Sequence, residues 1–305
     1  MASNDPRQSK AQRREEARLK ALELRKEQER RAKRNRILAI SGIGVLALVL
    51  VGAVAFVLQQ DRANRVSYAQ VVFGGDAANV NAPTLADADP TPSVADDKGG
   101  IPVSRGVVGQ ATEGDTVVSL YFDLQCPACA AFEEVNGADM ESFGERDGVT
   151  VEYKPLNFLD DRSNNTHYST RALNAALIVA SEDPDHFIPF LQALYQGQPA
   201  EGTSGLKDDR IKEIATGVEV PQEVADTFTD TVEGTFTTED SDEEKTGTWR
   251  TYAEWIAAAN AQGAVDLGGQ VGTPTILIDG QKWDGNWQNP GELAAAVDAA
   301  VAAKG

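Results

Sequence analysis

Residues 122–135 read FDLQCPACAAFEEV and contain both cysteines of the chain, Cys126 and Cys129. The run that leads into them, 116–122 (TVVSLYF), is β-branched and aromatic, which is typical of a buried strand. The segment after the first cysteine has helical composition, and Pro127 suits a first helical turn because that turn needs no N–H from it. The sequence therefore places two thiols, one helical turn apart, where a strand gives way to a helix.

The position of Cys126 predicts its chemistry. At a helix N-terminus, unpaired backbone N–H groups and the positive end of the helix dipole stabilise a thiolate over a thiol. We therefore expect a depressed pKa for Cys126 and a nucleophilic sulfur. Cys129 lies on the same helical face and can attack a mixed disulfide formed on Cys126. The spacing predicts a redox pair that exchanges disulfides.

A structural disulfide and a metal site are the alternatives to a redox pair. A C-x-x-C disulfide closes a very short loop and would constrain little of the unfolded chain. Zinc takes about four ligands, and the two histidines, His167 and His186, are not at ligand spacing from the cysteines. Copper delivery would favour Met or His near the thiols, but Met1 and Met140 are not close in sequence. We expect no metal and no cofactor.

A second motif lies far along the chain, where residues 271–275 read VGTPT. Pro274 stands immediately before a predicted strand, 275–279. An X–Pro bond can be cis at modest cost, and a cis proline is a specific structural feature. Many such prolines only begin a strand, so the residues alone leave both interpretations open.

Together, the 122–135 stretch and the GTPT of 272–275 resemble the DsbA-like thiol–disulfide oxidoreductases of the thioredoxin superfamily, especially the membrane-anchored, actinobacterial-type forms of Gram-positive bacteria. The resemblance covers about residues 100–303. It implies an α/β, thioredoxin-like fold with an inserted helical subdomain at about 160–265.

The resemblance also implies roles for individual residues. Cys126 would be the nucleophile and Cys129 the resolving thiol, with Pro127 and Ala128 between them completing the motif. Pro274 would be cis and pack beside the disulfide. The backbone of Thr273 would pair with a bound peptide.

Two positions depart from the family pattern. Ala128 stands where DsbA oxidases usually carry a histidine, which removes one group that could stabilise the thiolate. Leu120 stands where many relatives place a buried carboxylate that moves protons to the resolving thiol. Asp123, Glu133 or Glu134 could substitute for it, although we expect both glutamates to be solvated helix residues.

Beyond the motifs, strand and helix signals alternate, which predicts an α/β domain. We expect strands at 101–108, 116–122, 149–155 and 275–279, and helices at 126–143, 166–181, 185–195, 206–216, 221–233, 249–262 and 290–303. The acidic run 239–244 is expected to form a solvated loop.

Residues 37–58 form an uncharged run of 22 residues, ILAISGIGVLALVLVGAVAFVL. As a helix the run is roughly 30 Å long, which matches the hydrocarbon core of a bilayer. A cleaved signal peptide is the alternative, but the charged region before the run is too long and the run exceeds the usual apolar length. Residues 1–36 hold thirteen Lys and Arg against six acids, so they are expected to be a cytoplasmic, basic, helical tail.

The remaining residues are expected outside the cytoplasm. Residues 59–100 are rich in Gly, Pro, Asp and Ala and are expected to be a flexible extracytoplasmic linker. Residues 101–305 are expected to form the DsbA-like domain. The chain carries a formal net charge of −19 and its acidic excess lies after the apolar run, which argues against nucleic-acid binding.

These observations favour a membrane-tethered enzyme of the cell membrane that donates disulfides to exported proteins. Its expected partners are exported polypeptides with cysteines and an unidentified membrane redox protein. A reductase or isomerase of exported disulfides is an alternative. A non-catalytic thioredoxin-fold adaptor or chaperone is another.

Overall fold

The long N-terminal helix, α1 (Lys10–Ser67), contains the whole apolar run of 37–58. The computed structural model describes residues 10–75 and 77–304, so the first nine residues of the predicted basic tail lie outside the described residues. The helix is long and apolar enough to cross a membrane, and its most apolar segment is not buried. The described residues up to Gln60 form one unit, and those from Asp61 onwards form another.

The second unit contains eight strands and seven helices within its described residues. The strands are β1 (Ile101–Ser104), β2 (Val107–Val108), β3 (Thr116–Phe122), β4 (Val149–Pro155), β5 (Thr231–Thr238), β6 (Ser241–Arg250), β7 (Thr275–Ile278) and β8 (Gln281–Lys282). The helices are α2 (Pro127–Glu145), α3 (Tyr168–Glu182), α4 (Phe187–Gln196), α5 (Asp208–Gly217), α6 (Gln222–Asp226), α7 (Ala253–Asp266) and α8 (Glu292–Lys304).

Six strands form one mixed sheet in the order β2-β1-β4-β3-β7-β8. The central pair, β3 and β4, is parallel, whereas β7 runs antiparallel to β3. Side chains along β3 alternate between the two faces of the sheet. Leu120 lines a cavity with residues of α4, while Tyr121 donates from its hydroxyl to Asp266 of α7 at 2.9 Å. Both faces of β3 are thus covered, as its run of apolar residues predicts.

The insertion between β4 and β7 holds α3 to α7, which confirms the α/β fold with a helical insertion. Helix α3 is its centre, since Leu173, Leu177 and Val179 are all buried. Buried polar groups in its first half fix it in place: the Asn174 amide donates to Phe228 O at 3.1 Å, and Arg171 pairs with Asp208 at 2.9 Å. This packing fixes α3 and its neighbours beside the sheet.

The insertion also contains a hairpin where helix and loop were expected. Helix α6 ends at Asp226, and β5 and β6 follow it, so the predicted helices over 221–233 and 249–262 are wrong in part, and so is the loop over 239–244. Gly234 and Gly247 are paired across the hairpin, and both lie under the Trp249 ring. A Cβ at Gly234 would collide with that buried indole, and one at Gly247 would press against it, so the two glycines let the hairpin pack.

The structure also corrects the flexible linker expected over residues 59–100. Val71 and Phe73 are only 2% and 8% exposed. The Phe73 ring packs edge-on against Trp249, with 4.7 Å between ring centroids, and Asn81 N donates to Thr237 O at 3.0 Å. Residues 59–67 belong to α1, and glycine and proline leave the described residues between 68 and 100 without a further helix or named strand. Packing against the hairpin orders them.

We predict that Phe73→Ala in a protein of residues 61–305 lowers the free energy of unfolding by about 3 kcal/mol, because it removes a buried aromatic ring. Phe158, which is 36% exposed, offers a matched control: Phe158→Ala should cost less than about 1 kcal/mol. Denaturant unfolding of the three proteins measures the difference. Equal, near-zero effects would show that the segment before residue 100 is not packed.

Candidate active site

Cys126 is the N-cap residue of α2, with extended backbone angles of φ −75° and ψ 116°. Its N–H donates to Asp123 O at 3.0 Å, and its carbonyl accepts from Ala130 N at 3.2 Å. No side chain caps this helix with a hydrogen bond. The backbone N–H groups of Ala128 and Cys129 instead point at the Cys126 sulfur, as its place between strand and helix predicts.

The environment of the two sulfurs separates their roles. Both cysteines are free thiols, and they are 7% and 2% exposed for Cys126 and Cys129 respectively. A hydrogen bond from the Cys129 thiol, joined by the Thr273 hydroxyl and backbone N–H groups, lowers the pKa of Cys126 to about 6, against the opposing effect of burial. Burial, together with Cys126, raises the pKa of Cys129. Near neutral pH, Cys126 is a thiolate and Cys129 remains a thiol.

The loop before β7 forms the wall beside the nucleophile. The Thr273–Pro274 peptide bond is cis. In the thiol form, Cys126 Sγ donates to Thr273 O at 3.3 Å, so the loop touches the reacting sulfur. The Thr273 hydroxyl is buried beside the same sulfur, whose thiolate form it stabilises. The two motifs, far apart in sequence, are brought together in one site.

Pro127 is exposed and Ala128 half-buried at the tip of the motif. Ala128 contributes only its backbone N–H to the Cys126 sulfur. The two histidines are engaged elsewhere: His186 pairs with Asp183 at 2.8 Å, and His167 precedes α3 next to Asp160. The thiolate is therefore stabilised by backbone, hydroxyl and thiol donors.

Asp123 has a larger structural role than the sequence indicated. It is fully buried, and its carboxylate accepts from Gln125 N at 2.8 Å, Leu159 N at 3.0 Å and Ser169 Oγ at 2.6 Å. Burial outweighs these donors and raises its pKa to about 7. The three bonds join the loop before Cys126 to the segment after β4 and to α3. Asp123 thus holds the position of the cysteine loop.

Glu133 is half-buried, so the prediction that it is solvated is wrong. Glu134 is exposed, as expected. Burial raises the pKa of Glu133 to about 7, against a hydrogen bond from Gln192. Glu133 and Leu120 line the same small cavity. A carboxylate therefore lies in the region that Leu120 leaves apolar. The sequence could not show this, since the burial comes from packing of α4.

A sequence model of the family described as thioredoxin matches residues 105–299, more than half of the chain. The chain belongs to the thioredoxin family. The matched residues include both cysteines and the cis-proline loop. The matched range also covers Asp123 and Glu133.

This thioredoxin-family chain resembles known proteins in sequence and in structure. The serine/threonine-protein kinase PknE of Mycobacterium tuberculosis is 31% identical over 110 residues, which are 35% of this chain and only 19% of the kinase. The MdbA protein of Actinomyces oris, a thiol–disulfide oxidoreductase, is 20% identical over 71% of this chain and 96% of its own, with a TM-score of 0.53. The reduced form of DsbA from Mycobacterium tuberculosis is 24% identical over 68% of this chain and 100% of its own, with a TM-score of 0.49. The likeness to MdbA shows the fold.

We predict that alkylation of the reduced protein modifies Cys126 with a midpoint near pH 6 and leaves Cys129 unmodified at neutral pH. Cys129→Ala should move that midpoint upwards, because it removes the strongest donor to the thiolate, and Cys129→Ser should move it less because a hydroxyl remains. Mass spectrometry of the alkylated peptides against pH gives the midpoints. Equal alkylation of the two cysteines at pH 7 would contradict the assignment.

Proposed function

We propose that the chain is a membrane-tethered, extracytoplasmic thiol–disulfide oxidoreductase that donates disulfides to exported, cysteine-containing polypeptides. One observation carries the proposal: Cys126 caps α2 with a depressed pKa, beside a buried partner thiol and a cis-proline loop. Two cysteines with only a structural role would need none of these features. They are the features that thiol–disulfide exchange requires.

In the proposed reaction, a client thiolate attacks Cys126 Sγ of the oxidised protein. The Cys126–Cys129 bond breaks, and Cys129 leaves with the electron pair and takes up a proton. A second client thiolate then attacks the client sulfur of the mixed disulfide, and Cys126 leaves as a thiolate. The client is oxidised by two electrons and the protein is reduced. The low pKa of Cys126 makes it a good leaving group in the second step.

The Thr273 backbone supports client binding in this scheme. Its carbonyl lies 3.3 Å from Cys126 Sγ. An extended client strand beside the cis-proline loop would pair with this backbone and bring its own sulfur to Cys126. Thr273 and Pro274 therefore position the client, while Cys126 and Cys129 exchange the bonds.

The direction of exchange follows from the compartment and from the thiolate. Exported chains arrive reduced, and disulfides persist outside the cytosol. At pH 7, a pKa of about 6 instead of 9 stabilises the reduced protein about tenfold, or by about 30 mV for a two-electron couple. That makes the pair a moderate oxidant, weaker than one with a histidine at position 128. A separate membrane redox protein would reoxidise it.

We propose that α1 anchors the chain in the membrane. Its apolar segment could cross a membrane, and basic residues crowd the N-terminal side of that segment, including Arg30, Arg31 and Arg34. The positive-inside rule places this side in the cytoplasm. The catalytic domain then lies on the other side of the membrane, where its clients emerge.

We predict that Cys129→Ser accumulates mixed disulfides with an oxidised, two-cysteine peptide. The Cys126 thiolate attacks the peptide disulfide, one peptide sulfur leaves as a thiolate, and no Cys129 thiol is present to resolve the adduct. Cys126→Ser should abolish exchange and accumulate none. Non-reducing electrophoresis and mass spectrometry identify the adducts. Adducts that form equally on Cys129 in the Cys126→Ser protein would overturn the roles.

We also predict that protease added to intact spheroplasts expressing the chain digests residues 59–305, because the domain faces outwards. A cytoplasmic protein in the same spheroplasts serves as the control and should stay intact. If the domain is protected until the membrane is permeabilised, the proposed orientation is wrong.

A further inference from the structure

An open groove of about 750 Å³ lies between α2 and α4, beside the cysteine motif. Pro127 and Ala130 of α2 form part of one wall, and Tyr195 of α4 forms part of the other. Gln198, just after α4, donates to Leu124 O and to Cys126 O, both at 3.0 Å, which holds the end of α4 against the cysteine loop. The groove therefore begins at Pro127, the residue that follows the reacting cysteine.

This groove is distinct from the face formed by the cis-proline loop. Among the described residues that line it, neither Thr273 nor Pro274 is present. The wall on α2 is built from small residues, Ala130, Ala131 and Gly137. Gly137 leaves the space that the Glu133 carboxylate occupies, because a Cβ there would collide with it. The result is a channel wide enough for a side chain of a client.

The charge of the groove has one sign. Glu133 and Glu134 line it, its other polar side chains include Gln192 and Gln196, and no Lys, Arg or His is among its described lining residues. Neither glutamate forms an ion pair within the described chain. Asp208, by contrast, pairs with Arg171. We call this channel, defined by Pro127, Glu133, Glu134, Gln192 and Tyr195, the acidic groove.

A second observation points to a polar ligand. Tyr195 is only 9% exposed, and its hydroxyl makes no hydrogen bond with any described residue. Its side chain lines the acidic groove. Buried hydroxyls are normally hydrogen-bonded, so this one, which lies beneath the groove surface close to Glu133, can accept a polar group of a bound chain when the Tyr195 ring turns towards the groove. A Lys or Arg side chain offers such donors together with a positive charge.

We propose that the acidic groove is a client subsite that prefers a Lys or Arg side chain about three residues from the client's reacting cysteine. The inference rests on the proposed function and adds a sequence preference to it. Glu133 is seven residues beyond Cys126 on α2, which is about 10 Å along the helix axis. An extended client covers that distance in about three residues.

The preference should depend on pH. Burial raises the pKa of Glu133 to about 7, so below that pH the groove loses one negative charge and above it the carboxylate is ionised. The ionisable groups that face it are Glu141 of α2, Tyr153 of β4 and Tyr195 of α4. Burial raises the pKa of both tyrosines well above neutrality, so they stay uncharged. The selectivity for a cation should therefore rise as pH increases through 7.

The test uses the full-length oxidised protein in a neutral detergent and reduced peptides with the same two cysteines. Lys, Gln, Glu or Leu occupies the third position from the first cysteine, and the rate of peptide oxidation is measured for each. We expect the Lys peptide to react about fivefold faster than the Gln peptide, and the Glu peptide to be slowest. Dividing the oxidation rate of the Lys peptide by that of the Gln peptide removes every contribution that the two peptides share.

Variants separate the groove from general attraction to an acidic protein. Glu133→Gln with Glu134→Gln should bring the Lys-to-Gln ratio close to one. Glu243→Gln with Glu244→Gln removes the same charge from the exposed hairpin and should keep the ratio. In the unmodified protein the ratio should fall when pH is lowered from 8 to 6, which tests the groove even if the double variant fails to fold.

Three results would overturn the inference. A ratio near one in the unmodified protein would show that the groove selects no cation. Loss of the ratio in the hairpin variant would assign it to long-range attraction. If the Leu peptide is oxidised faster than the other three, the groove is an apolar subsite. If no peptide is oxidised at all, the proposed function itself fails, and the inference fails with it.

Discussion

The free N–H groups at the start of α2 are the constraint on which the site depends. A helix must satisfy these groups with a cap, water or a ligand, and here no side chain does so with a hydrogen bond. Cys126 occupies the cap position, so its sulfur is the anion that the helix end favours. The buried Cys129 thiol adds the strongest single donor. At neutral pH a thiolate is thus the stable form of Cys126, and the groups that stabilise it most are thiol, hydroxyl and backbone donors.

The surrounding structure keeps that arrangement in place. Asp123 ties the cysteine loop to α3 through Ser169, and Gln198 ties it to the end of α4. On the other side, the cis-proline loop brings Thr273 against the sulfur. These contacts come from segments that are distant in sequence, and the helical insertion therefore helps to position the cysteine loop. It supplies two of the supports that hold the nucleophile.

Local signals in the sequence predicted the centre of the site, and long-range packing decided what they missed. Cys126, Pro127 and the strand before them carry their structure in a few adjacent residues, so the strand, helix and redox pair could be predicted. The hairpin could not, because Trp249 is buried by Phe73, which lies in a segment that composition indicates to be flexible. Glu133 was expected in solvent for the same reason, since α4 buries it. The pairing of two separate motifs was predictable only through the family resemblance.

The reduction potential of the Cys126–Cys129 pair tests the central claim most directly, because stabilisation of the Cys126 thiolate must make the pair a better oxidant. The potential is obtained by equilibrating the protein with glutathione buffers at pH 7. The account predicts a value clearly less negative than the roughly −270 mV of a cytosolic thioredoxin and short of the roughly −120 mV of the strongest DsbA oxidant. A potential as reducing as that of thioredoxin would contradict it.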